Sequence, residues 1–156
     1  MALATAGGIG LLPGAPGTWA SAAAMAALLI PVEIRHWILL VLIVLLTVVS
    51  IPAINRIEAR YGDDPGFVVI DEIIGMWTAF LLPEITLSAV WVILLFCFYR
   101  IFDILKPWPL NILNAKRGAI YVIADDVGAA IMAVLAITIL KTGAQIAQFV
   151  IFDSNI

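Results

Sequence analysis

The sequence predicts an all-α fold: a polytopic membrane helical bundle of about five helices, some of them partial or re-entrant spans. Three observations carry that expectation. Of 156 residues, 64% are hydrophobic and 12% charged, against roughly 45–50% and about 25% in soluble domains. Mean hydropathy is +1.15, an apolar excess that one small core cannot hide. The apolar residues also come in runs, separated by short polar or Gly/Pro-containing connections. The length suits a single integral-membrane domain over residues 1–156.

Residues 7–17 (GGIGLLPGAPG) hold too much glycine and proline for a regular helix and read as an ordered loop. A first helix starts at Thr18, which can cap its first turn, and runs to Pro31. At 1.5 Å per residue it covers about 20 Å against a hydrocarbon core of about 30 Å, so it reads as a partial or re-entrant span. Trp37 to Ile54 is uncharged and long enough to cross. Asn55 to Gly66 is a polar connection carrying Arg56, Glu58, Arg60, Asp63 and Asp64, its acids solvated. The third helix covers about Phe67–Leu82, Pro83-Glu84 turns the chain, and the fourth covers Ile85–Leu105. Residues 106–119 (KPWPLNILNAKRGA) form a second polar connection, the fifth helix covers Ile120–Lys141, and the tail after Thr142 carries no signal.

With a cytoplasmic N-terminus, the inner side holds Arg56, Arg60, Arg100, Lys106, Lys116 and Arg117, and the outer side only Arg35 and Lys141. That asymmetry satisfies the positive-inside rule, and Trp19, Trp108 and Trp37 fall where interfacial aromatic belts belong. Met1 to Val32 has no ionisable side chain, so no secretory signal is expected. The net charge of -3 leaves no basic patch for nucleic acid. Cys97 is the only cysteine, which excludes a disulfide framework or thiolate zinc site and reads as a buried thiol.

Against this background five acids stand out: Asp71 and Glu72 in VVIDEIIGMW, Asp103 in RIFDILKPW, and Asp125 and Asp126 in VIADDVGAA. A charge at mid-membrane costs about 2.5–3.5 kcal/mol on insertion scales, so such residues are paired, metal-bound or functional. Taken singly, each has an ordinary explanation: a helix N-terminus favours acids, and Asp103 can pair with Arg100 at i,i+3. The topology, assigned without the acids, nevertheless places all of them and the Gly/Pro loop on the cytoplasmic face. Carboxylates without histidine or thiolate suit a hard cation such as Mg²⁺. Arg100 and Lys106 beside them suit one phosphate gripped from both sides, and the amides after Pro16-Gly17-Thr18 can add a helix N-terminus. The loop lacks the GK[ST] ending of a P-loop. His36 falls on the outer side, which excludes a phosphohistidine route, and Cys97 and Arg100 share one helix, which excludes a cysteine-phosphatase loop. Water attack assisted by metal, or an aspartyl-phosphate, remains.

The segments GIGLLPGAPGTWAS, GFVVIDEIIGMW, YRIFDILKPWP and the DDV at 125–127, in this order, resemble the bacterial phosphatidylglycerophosphatase A family over residues 7–140. The resemblance implies a Mg²⁺-dependent inner-membrane enzyme that dephosphorylates phosphatidylglycerophosphate to phosphatidylglycerol and phosphate, with its active site facing the cytoplasm. Carried over by position, it implies metal and catalytic roles for Asp71, Glu72, Asp103, Asp125 and Asp126. It implies substrate binding by Arg100, Lys106 and the loop residues Pro16, Gly17, Thr18 and Ser21. Ala20, Ala119, Tyr121 and Ala130 depart from glycines of the family pattern. The alternatives are a transporter or ion-conducting protein with an intramembrane acidic site, a phosphatase of another phospholipid, and a non-catalytic lipid-binding protein. The spaced Asp/Gly/Arg pattern of alcohol phosphotransferases is not found.

Overall fold

The computed structural model describes residues 1–81 and 88–153, without the side chains of 152 and 153. Among the described residues all regular structure is helical: 3₁₀ turns over Ala6–Leu11, then α1 (Pro16–Ala24), a 3₁₀ extension Met25–Leu29, α2 (Val32–Tyr61), α3 (Ile70–Leu81), α4 (Ala89–Leu105), α5 (Leu110–Asn114) and α6 (Ala119–Asp153). The turn expected at Pro83-Glu84, the expected start of the fourth helix at Ile85, and the side chains of Glu84 and Asp153 lie outside the described residues.

The N-terminal loop is irregular as expected, with Gly7 and Gly8 at positive φ inside its 3₁₀ turns. The first helix begins two residues before the expected Thr18, with Pro16 at its first position and no side-chain cap. Proline's fixed φ pre-forms that first turn, and its missing N–H is one the helix could not use. The second helix extends well past the expected span, through Pro52 and the polar run to Tyr61, and stops at Gly62 with φ 97°. Arg, Glu and Ala are good helix formers, so polarity alone does not end a helix. Likewise α6 continues through the expected tail to Asp153, and α5 is a short turn inside the expected connection.

Among the described residues two helices are long and apolar enough to cross a membrane, α2 and α6. Only 17% of the most apolar stretch of α2 is buried against the rest of the protein, so its Val and Leu faces suit lipid rather than a core. Trp19, Trp37 and Trp108 are all exposed. Cys97 is also exposed, a correction to the buried thiol: it sits on the side of α4 turned away from Leu95 and Tyr99, which are fully buried.

The core is packed where α3, α4 and α6 meet, around Met76, Ala79, Leu95, Tyr99, Ala129, Ala130 and Ala133. Small residues on α6 let these helix backbones approach closely. Three polar ties fix the remaining elements. Trp77 donates its indole N–H to the Ala24 carbonyl at 3.0 Å, binding the end of α1 to α3. Val69 N–H bonds the Ala4 carbonyl at 2.8 Å, seating the lead into α3 on the N-terminal turns. Asn55 Oδ1 of α2 accepts the Ala119 N–H at 2.9 Å, so one helix caps the start of another.

Candidate active site

The five acids gather at one end of the bundle. Asp71 and Glu72 occupy the first turn of α3, Asp103 the last turns of α4, and Asp125 and Asp126 lie near the start of α6. Asp71, Asp103, Asp125 and Asp126 are buried, and Asp71 is within electrostatic reach of Glu72, Asp126 and Asp64.

Arg100 is the hub. Its Nη1 donates to Asp103 Oδ2 at 2.6 Å and to Ser21 Oγ at 3.3 Å, and lies 4.0 Å from Glu72 Oε1. Ser21 donates in turn to the Gly17 carbonyl at 2.7 Å, which ties the first turn of α1 to the cation. Gly17 has no room for a side chain: a Cβ there would run into Glu72 Oε1 and stand 3.1 Å from Arg100 Nη2. Pro16 starts the helix and Thr18 is half-buried; among the described residues neither is brought into polar contact with the acids or with Arg100.

Lys106 closes α4 in a left-handed conformation, φ 44°. Its ammonium bonds Asp125 Oδ2 and donates to Asn114 Oδ1 at 2.9 Å. Burial alone would lower its pKa, but the hydrogen bond and charge of Asp125, helped by Asp103 and Asp126, outweigh this and raise it above the ordinary lysine value. Lys106 is therefore a cation at neutral pH. Beneath these groups Tyr99, fully buried, donates its hydroxyl to Asp126 Oδ1 at 2.6 Å. Gly75 lets that hydroxyl and α6 approach, since a Cβ would lie 2.5 Å from the Tyr99 oxygen and 3.0 Å from the Asp126 backbone oxygen.

Asp71 Oδ1, Glu72 Oε2, Asp125 Oδ1 and Arg100 Nε are buried with no hydrogen-bond partner. An unsatisfied buried polar group costs about 1–3 kcal/mol, more when charged. Carboxylate oxygens call for a cation, and the guanidinium N–H calls for an anionic oxygen. Among the described residues no three acidic, His or Cys side chains stand together as a ready-made metal cage. Mg²⁺ does not require one, because it keeps several waters and takes one or two carboxylates. Asp71, Glu72 and Asp125 each keep a free carboxylate oxygen, whereas Asp103 and Asp126 each already take a proton donor.

A family profile described as phosphatidylglycerophosphatase A matches residues 2–141. The chain belongs to the phosphatidylglycerophosphatase A family. Relatives named phosphatidylglycerophosphatase A include one from Haemophilus influenzae, 33% identical over 138 residues (86% of this chain, 84% of the relative). Another is from Escherichia coli K12, 34% identical over 134 residues (83% of this chain, 76% of the relative). A Bacteroides thetaiotaomicron protein provisionally named a phosphatidylinositol-3-phosphatase is 33% identical over 147 residues, 89% of this chain and 91% of the relative. No solved structure matches. Membership makes the chain a phosphatase with a phospholipid substrate and, with its two long apolar helices, a membrane protein.

Of the residues that stand where the resemblance leads one to expect glycine, Ala20, Ala119 and Ala130 are buried and Tyr121 is half-buried. Sequence reasoning missed Tyr99, Asn114 and Gly75. A signal existed for the first, because a tyrosine inside an apolar helix must find a partner for its hydroxyl. Asn114 and Gly75 carry none.

Proposed function

We propose that the protein is a single-domain, multi-pass phosphatase of the bacterial inner membrane. It hydrolyses phosphatidylglycerophosphate to phosphatidylglycerol and phosphate at the cytoplasmic face, with Mg²⁺ as cofactor. One observation supports this above the others. Acids and cations far apart in sequence meet at one end of the bundle, with buried carboxylate oxygens and an Arg100 N–H left without protein partners.

Arg100 and Lys106 bind and orient the terminal phosphate, Arg100 through its free Nε–H. The first turn of α1, held at Arg100 by Gly17 and Ser21, closes one wall, with Pro16 and Thr18 shaping it. Of Asp71, Glu72 and Asp125, which keep free oxygens, one or two would hold Mg²⁺, and Asp103 and Asp126 complete the acidic surround. When bound there, Mg²⁺ supplies polarisation of a phosphoryl oxygen and a water of lowered pKa. Asp71 or Glu72 accepts the proton of the attacking water as its oxygen bonds to phosphorus. The phosphorus–oxygen bond to the glycerol headgroup breaks, the leaving oxygen takes a proton from solvent water, and the carboxyl returns its own proton to solvent. Tyr99 holds Asp126 in place, and Asn114 holds Lys106.

A second reading keeps the chemistry and changes the headgroup. It is favoured by the relative named for phosphatidylinositol-3-phosphate, which aligns over more of both chains than the other two. Phosphate release by purified protein from phosphatidylglycerophosphate, phosphatidic acid and phosphatidylinositol 3-phosphate, with and without Mg²⁺, decides between them. Fastest release from the first, lost on chelation, is the expected result. Fastest release from the third replaces the headgroup, and no release from any lipid ends the reading, leaving the intramembrane transport pathway as the alternative.

A further inference from the structure

The phosphatase site leaves a second basic feature unused at the end of α2. Arg56 and Arg60 are one turn apart and share a face. Both are exposed, and neither has an acidic partner among the described residues. A cavity of about 240 Å³ opens beside them, walled by Tyr61 and Met1 and floored by Ala53 and Ile57. The Arg60 guanidinium sits 5.5 Å from the Tyr61 ring centre. None of these residues belongs to the carboxylate site.

Its position relative to the membrane follows from helix length. The 30 residues of α2 span about 45 Å, against about 30 Å of hydrocarbon, so an end of the helix must stand in the headgroup layer. Two unpaired arginines and the polar residues around them mark this end as that one. It is also the end where Asn55 caps the start of α6, a short way from Asp125 and Asp126, so cavity and phosphatase site open at the same boundary.

We infer that this cavity binds the headgroup of a second, anionic phospholipid, with its phosphate between Arg56 and Arg60 and the top of its acyl chain against Ala53 and Ile57. Guanidinium forks match phosphate geometry, and basic pockets at a membrane boundary select anionic headgroups. The apolar floor favours a lipid over free phosphate, which would gain nothing from it. Among the described residues no carboxylate lines the cavity, so the lipid there is held rather than hydrolysed.

Native mass spectrometry of the purified full chain, titrated with phosphatidylglycerol or phosphatidylethanolamine, tests this. We expect about a 10-fold preference for retaining the anionic lipid, lost in an Arg56→Ala/Arg60→Ala double variant and partly restored by Arg56→Lys/Arg60→Lys. The alanine variant should keep its lipid-free unfolding temperature and its rate of phosphate release from dispersed substrate. Equal retention of the two lipids overturns the inference. So does a preference that survives the double variant, which would assign the lipid to the phosphatase site. Displacement of the lipid by inorganic phosphate at comparable concentration would make free phosphate the occupant and also overturn it. Because the readout is binding, these outcomes stand apart from whether phosphatidylglycerophosphate is the substrate.

Discussion

Two arginines are largely withdrawn from solvent in this protein, and the protein treats them in opposite ways. Arg35, near the start of α2, is 8% exposed. It donates to the Ile30 carbonyl from Nε at 3.0 Å and from Nη2 at 2.7 Å, and to the Leu28 carbonyl at 2.9 Å. Those carbonyls end the 3₁₀ extension of α1, where acceptors have no helical partner. The cation therefore staples the end of the 3₁₀ extension to α2 with neutral acceptors and, among the described residues, pairs with no acid. Arg100 faces Asp103 and Glu72, and its Nε remains without a partner. Arg35 spends its bonds on the fold, whereas Arg100 keeps a donor for a ligand, as the proposed function requires. Burial by itself does not distinguish the two.

That contrast can be broken most decisively at Asp71. Asp71→Asn keeps the shape and removes one charge from a crowded acidic end. Phosphate release should fall by about 100- to 1,000-fold, while the unfolding temperature holds or rises. A collapse of folding would mean that the acid is structural, as Arg35 is. Gly17→Ala comes next. The added methyl displaces the tips of Glu72 and Arg100, flexible side-chain ends, so the fold should survive. A small shift in those groups should lower kcat/KM about 10- to 100-fold, and circular dichroism would confirm that the helices persist.

Tyr99→Phe sharpens the comparison from beneath the site. Loss of a buried hydrogen bond, worth about 0.5–1.5 kcal/mol, should lower kcat about 3- to 10-fold with KM unchanged. Equal changes in both would assign Tyr99 to packing alone. Arg35→Ala should affect activity least. Its carbonyl partners lose their donor, which should cost about 1–3 kcal/mol of stability, read as a lower unfolding temperature. Specific activity of the folded fraction should stay within about twofold; a larger loss would show that the hairpin staple also sets the geometry of Gly17 and Ser21.

The helical class and the stretches bearing the five acids were legible in the sequence, because hydropathy and motif order are properties of short stretches. The Arg100–Asp103 pair was legible for the same reason, since i,i+3 spacing on a helix settles it. Helix ends were less so: α2 runs on to Tyr61 and α6 to Asp153, since neither polar residues nor an uninformative tail stops a helix in the absence of a breaker. The exposure of Cys97 was not legible either, because an apolar run gives no sign of which face turns inward.

What only the tertiary structure decided is how the acids are shared out. Tyr99 and Asp126 are 27 residues apart, Asn55 and Ala119 are 64 apart, and Ser21 and Arg100 are 79 apart. Each contact depends on the register and rotation of one helix against another. A shift of about 1.5 Å, one residue of rise, would exchange the partners. The sequence by itself determined that acids and cations would be present near one face of a helical membrane protein, because that follows from the cost of charge in an apolar phase. Close packing of α3, α4 and α6 decided which oxygens were satisfied within the chain and which were left to be met by something outside it.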